Sequence, residues 1–137
     1  MKLPVMGGDG WDSPNLTGSD PQDFTDCYFS NHFSPEEERP GVKEFVAAYK
    51  AKFGEDPNAL AALGYDAVKL IADAAKRAGS LDRTAIRDAI EKTKDYSAVT
   101  GQITIDAQHN PVKSAVVVQV PTEAGKPFKL VTTIKPE

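Results

Sequence analysis

The sequence runs to 137 residues, 40% hydrophobic and 26% charged, which is the make-up of one globular domain with enough chain to bury a core. A net charge of −4 and no clustered Lys or Arg exclude nucleic acid and anionic lipid as principal partners. A lone Cys27 excludes an internal disulfide and a thiolate zinc site, and leaves the redox compartment open.

The opening Met1-Lys2-Leu3-Pro4-Val5-Met6-Gly7-Gly8 has one basic residue and too short an apolar run for a secretory signal. No window is apolar enough to span a bilayer. A short strand is predicted near Leu3 to Met6, followed by a polar loop rich in Gly, Asp, Ser and Pro, the kind of segment that carries contacts. Cys27 to Phe33 reads as a strand because aromatic residues cluster between turn formers, and Ser34-Pro35 ends it. After the acidic run Glu36-Glu37-Glu38, the apolar positions Val42, Phe45, Val46, Tyr49 and Phe53 follow helical spacing, with Gly54 as the stop before Pro57.

A second helix is predicted from about Ala59 to Ala78. Its apolar stripe is Leu60, Leu63, Ala67, Leu70, Ile71, Ala74 and Ala78, and its polar face carries Asp66, Lys69, Asp73, Lys76 and Arg77. Those charges read as a solvated face, paired at helical spacing for a few tenths of a kcal/mol each, about 0.2–0.5. Tyr65 falls beside the core stripe, and Gly64 reads as a point of close approach by another element. Gly79 closes this helix. A third helix, about Arg83 to Thr93, presents Ala85, Ile86, Ala89 and Ile90 inward with either Ser80 or Asp82 as its N-cap.

The period then changes. Val99 to Ile105 alternates as a strand, Asp106 to Pro111 is a turn, and Ala115-Val116-Val117-Val118-Gln119-Val120 is a continuous run expected to form a buried strand. Phe128 to Ile134 is its hairpin partner across the turn Glu123-Ala124-Gly125-Lys126. With three helices and about five strands, the fold class is α/β.

Residue types argue against catalysis. Cys27, His32 and His109 are the only thiol and imidazole groups, and Cys27 and His32, five apart on one strand, point to opposite faces. No His-x-x-x-His or Cys-x-x-Cys is present, so no metal set is expected. Gly7-Gly8-Asp9-Gly10 lacks the Lys of a phosphate loop and the spacing of a dinucleotide fingerprint. No cofactor is expected.

Three blocks carry a family resemblance: Gly7-Gly8-Asp9-Gly10-Trp11-Asp12-Ser13-Pro14, the helix pair from Phe45 to Pro57 and Ala61 to Leu70, and Thr100-Gly101-Gln102-Ile103-Thr104-Ile105-Asp106. In that order they resemble the branched-chain amino-acid-binding receptors of ABC transporters, which have the type I periplasmic-binding-protein fold. The match reaches only the last third or so of such a receptor, so the chain is expected to be a fragment of that fold. The resemblance implies a periplasmic or extracytoplasmic parent that captures a small amino acid and hands it to a membrane permease. A ligand-sensing regulatory domain of similar fold, acting through protein association, is the alternative.

The resemblance also implies that residues 1–30 and 120–137 come from one lobe and 33–114 from the other. Helix faces around Phe45 and Leu70 would then lack a covering sheet, and self-association or a rearranged fold is expected to complete them. Among site residues, the family's acidic group binding the ligand ammonium falls on Asp9. A carboxylate suits that task because charge-assisted hydrogen bonds are strong, although Asp beside Gly also simply shapes turns. Trp11 either walls an apolar pocket or packs the loop on its own scaffold. Leu60 stands where the family often places an aromatic contact to the ligand side chain, but its place on the Leu60, Leu63, Ala67 stripe reads first as ordinary core. The ligand carboxylate is expected to be received by residues outside this chain, so binding by the chain alone is expected to be weak or absent.

Overall fold

A computed structural model describes residues 3–13, 16, 21–123 and 125–136, with the side chains of 21 and 22 left undescribed. Met1, Lys2, Pro14 and Ala124, quoted above, lie outside the described residues. Seven strands and three α-helices are present among them: β1 (Val5–Gly7), β2 (Cys27–Asn31), α1 (Pro40–Phe53), α2 (Ala59–Ala78), α3 (Arg83–Glu91), β3 (Tyr96–Ala98), β4 (Gly101–Ile105), β5 (Pro111–Val112), β6 (Ala115–Gln119) and β7 (Lys129–Ile134). This is the expected α/β class, with two more strands than the sequence pattern suggested. The additions, β3 and β5, span three and two residues, too short to show a period of two.

One sheet has the order β1-β2-β6-β7. β1 runs parallel to β2, while β2, β6 and β7 are antiparallel in turn. Alternation explains its core: Cys27, Phe29 and Asn31 are buried along β2, and Phe29 and Asn31 stand opposite Val118 and Val116. β6 therefore buries alternate residues rather than the whole apolar run. Phe29 is fully enclosed and meets Phe128 edge to face, with ring centroids 5.0 Å apart.

A second apolar cluster gathers Phe33, Val42, Phe45, Ala59, Ala62 and Val99, just past the end of β2 and across α1 and α2. α1 begins with Pro40 at its first turn, where a missing N–H costs nothing, and ends at Gly54 in the left-handed conformation (φ 78°). α2 is capped by Asn58, whose side-chain oxygen accepts from the Ala61 N–H at 2.9 Å. For α3 the cap is Asp82, accepting from Thr84 and Ala85, while the Ser80 hydroxyl accepts from the Asp82 N–H. Arg77 joins the two helices, donating to the carbonyl of Ala89 at 2.6 Å and to Thr93 Oγ1 at 2.9 Å, beside its pair with Asp73.

The phase of α2 differs from the expected stripe. Ala59, Ala62, Asp66 and Ala74 are the buried positions, and Leu60, Val68 and Ile71 face outward. Asp66 is the main correction, because it belongs to no solvated face: it is only 3% exposed, and its two carboxylate oxygens accept from the backbone N–H groups of Val99 and Thr100, each at 2.8 Å. Arg39 serves the same hairpin tip from the other side, donating to the carbonyls of Ala98 at 3.2 Å and Val99 at 2.7 Å while pairing with Glu37. The β3–β4 tip is thus held by an anion for its donors and a cation for its acceptors. Gly64, read as a point of close approach, faces open space in this chain. Tyr65 is half exposed and lies 5.0 Å from the Phe45 ring.

Candidate functional site

Between β1 and β2 the chain forms a 3-10 turn, Asp9–Trp11, held by Trp11 N–H donating to the Gly8 carbonyl and Asp12 N–H to the Asp9 carbonyl, both at 3.0 Å. The Trp11 ring lies over Gly7, where an added Cβ would fall 2.4 Å from it, and beside Phe29 with centroids 6.4 Å apart. Glycine is required at residue 7 by that close approach. Trp11 thus packs on the sheet that carries the turn.

Asp9 projects from the turn with its side chain 62% exposed, and Oδ2 lies 3.3 Å from His32 Nε2. His32 follows β2 directly, so the pair ties the turn to the end of that strand. Leu60 sits in the first turn of α2 and is 72% exposed, outside the core. What brings these segments together is Asp12, whose Oδ2 accepts from the Ala59 N–H at 2.7 Å. The segment that carries Asp9 and Trp11 is therefore bonded to the first residue of α2, the helix that carries Leu60, 47 residues along the chain from Asp12 to Ala59.

Beneath this junction lies an open cavity of about 360 Å³, bordered by Asp12, Asn31, Phe33, Tyr49, Asn58, Ala59, Val118 and Phe128. Its volume is within the range of small-molecule sites, and its lining is mixed: Phe33, Val118 and Phe128 lie among the polar Asn31, Ser34 and Asn58 and the carboxylates of Asp12, Glu55 and Asp56. Asp9, Trp11 and Leu60 do not line it. Residue pattern alone assigns no binding role to Asp12 or Asn31, and it weighs His32 only as a catalytic partner of Cys27 or a metal ligand. Asn58 is not singled out either, although an Asn directly before a predicted helix is a legible N-cap signal.

Where the chain leaves β2 and enters β6, Lys113 spans the two segments, its Nζ donating to the carbonyls of His32 at 3.4 Å and Ser114 at 3.1 Å. Burial pushes its ammonium below the usual lysine range, while the carboxylates of Asp66 and Glu37 act in the opposite direction. Among the described residues no group of three or more His, Cys, Asp or Glu is disposed to hold a metal ion, and no helix is long and apolar enough to cross a membrane.

Comparison with known proteins gives this geometry its context. Residues 1–126 match the family described as periplasmic binding protein. A leucine-binding protein from Thermotoga maritima superposes with a TM-score of 0.86 at 36% identity, over 99% of this chain and 38% of that one. A branched-chain amino acid transporter substrate-binding protein from Streptococcus pneumoniae, solved with isoleucine, gives 0.80 at 36% identity over 95% of this chain and 37% of that one. A solute-binding protein from Rhodopseudomonas palustris, solved with 3,4-dihydroxybenzoic acid, gives 0.81 at 25% identity over 97% and 37%. The chain spans less than two fifths of the length of these relatives. With a family match over residues 1–126 and 36% identity to a leucine-binding protein along nearly its whole length, the chain belongs to the periplasmic binding protein family.

Proposed function

We propose that this chain is part of an extracytoplasmic receptor that captures a small amino acid of the branched-chain type for uptake by an ABC permease. The observation that carries this reading is the Asp12–Ala59 bond, because it sets the turn bearing Asp9 and Trp11 against the helix start bearing Leu60. In that arrangement Asp9 accepts the ligand ammonium, and Leu60 with Trp11 supplies apolar wall. Asp9 is exposed, so its carboxylate is open to an ammonium group, and the contact of Oδ2 with His32 Nε2 holds it at the end of β2. Leucine and isoleucine are favoured over the aromatic acid of the third relative by the higher identity of the first two.

In the parent, residues 1–30 and 120–137 belong to one lobe and 33–114 to the other, and ligand favours the closed state by hinge motion at the crossings. Two separate apolar clusters, one on the four-stranded sheet and one around α1 and α2, support that division. By itself the chain binds weakly, since one charged contact and part of an apolar wall leave little free energy after the cost of association. Outward Leu60, Val68 and Ile71 also favour self-association of the isolated chain, for which light scattering should give a mass above 14.8 kDa.

The test is calorimetry with leucine, isoleucine and valine on two proteins: this chain, and a chimera in which it replaces the matched region of the Thermotoga maritima leucine-binding protein. The chain alone should show no micromolar binding. The chimera should bind, and Asp9→Asn should weaken it at least about tenfold, the loss expected for a hydrogen bond to a charged group. A folded chimera indifferent to Asp9→Asn would refute the assignment.

A further inference from the structure

We propose that Asp12 is the latch of the cleft, a positioning residue whose carboxylate, spent on the start of α2, sets the distance between that helix and the turn carrying Asp9. This rests on the proposed roles of Asp9 and Leu60. The Asp12 carboxylate takes the Ala59 N–H at 2.7 Å, the length of a charge-assisted bond. It lies at the positive end of the 20-residue helix α2, where the helix dipole favours an anion. Asp12 is also coupled directly to the candidate ammonium acceptor, since its own N–H donates to the Asp9 carbonyl at 3.0 Å. When Asp12 moves, Asp9 moves.

The role differs from ordinary capping. Asn58 already caps α2 from within its own segment, accepting from Ala61. Asp12 reaches the same helix end from a different part of the chain, so its particular effect is to join two segments. The Asp9–His32 contact, by contrast, holds the turn to the strand beside it. Asp12 is half-buried, so water competes for its carboxylate and the bond can open and close. One such bond biases a two-state equilibrium about tenfold or more, enough to favour a closed cleft without locking it.

The experiment compares wild type, Asp12→Ala, Asp12→Asn and, as a control of equal kind, Asp82→Ala, which removes the cap of α3. On the 137-residue chain, amide exchange at Ala59 and the emission of Trp11, the single tryptophan, are read together. Asp12→Ala should speed Ala59 exchange at least about tenfold and shift Trp11 emission to the red. Asp12→Asn, which keeps an acceptor oxygen, should recover part of both. Asp82→Ala should instead speed exchange at Thr84 and Ala85 and leave Trp11 unchanged. In the chimera, Asp12→Ala should raise the leucine Kd about tenfold through faster dissociation.

Unchanged Ala59 exchange in Asp12→Ala overturns the latch outright. Faster exchange with a Kd within twofold of wild type overturns its part in closure. If the unmutated chimera fails to bind leucine, the proposed ligand is wrong, while Ala59 exchange and Trp11 emission still decide whether the latch exists.

Discussion

Replacing Asp66 with Ala is expected to destabilise the chain severely. The side chain is 3% exposed and both oxygens accept backbone N–H groups at 2.8 Å, so truncation leaves two buried donors without their acceptor. Each hydrogen bond to a charged group contributes about 1.5–3 kcal/mol, and two together set an upper bound near 6. Partial relaxation of the β3–β4 tip, which Arg39 still holds by its carbonyls, brings the expected loss to about 4 kcal/mol. Against a net domain stability of about 5–15 kcal/mol this is a large share. In urea, with a slope of about 2 kcal/mol per molar, the midpoint should fall by about 2 M. Asp66→Asn should lose somewhat less, about 2–4 kcal/mol, because its amide oxygen serves one donor while its NH₂ opposes the other. Asp73→Asn on the same helix is the control: its pair with Arg77 is partly exposed, and the loss should be about 0.5 kcal/mol or less. A fall of under about 1 kcal/mol for Asp66→Ala would refute the buried clamp.

Gly7→Ala should displace the Trp11 ring, because the new Cβ would lie 2.4 Å from it; a cost of about 1–3 kcal/mol by chemical denaturation and a red shift of tryptophan emission are expected. Unchanged emission would contradict the packing described. Asp106 organises the turn between β4 and β5, accepting from Asn110 and Gln108, and the Asn110 backbone bond is the first cause holding its carboxyl below the ordinary value of 3.8. Because the folded-state value is the lower one, its contribution is present above about pH 4 and is lost as pH falls through the depressed value. Asp106→Asn should therefore lower the urea midpoint at pH 7 and converge with wild type in acid, and a gap that persisted at low pH would count against the turn's charge dependence.

Local chemistry made much of the fold legible. Gly54 and Gly79 ended helices because left-handed backbone favours glycine. The start of α3 was narrowed only to Ser80 or Asp82, and the structure gives the cap to Asp82, whose short carboxylate reaches the first free N–H groups. Spacing also placed Val42 and Phe45 inside and identified β6 and β7 as partners. The family blocks were equally plain in the residue order, and they pointed to Asp9, Trp11 and Leu60 as candidates.

Tertiary structure alone decided the rest. Asp66 sits three residues before Lys69, a spacing that looks the same whether the carboxylate faces water or two amides 33 and 34 residues away. The phase of α2 followed those amides rather than the largest apolar side chains, since unsatisfied buried donors cost more than an exposed Leu60 or Val68. The contact of Asp12 with Ala59 was invisible for the same reason: periodicity records which face a residue occupies, whereas a bond across 47 residues exists only once the chain has folded. Composition and spacing thus determined the elements and their class, and the packing of distant backbone groups determined which charges are structural and which remain free to meet a ligand.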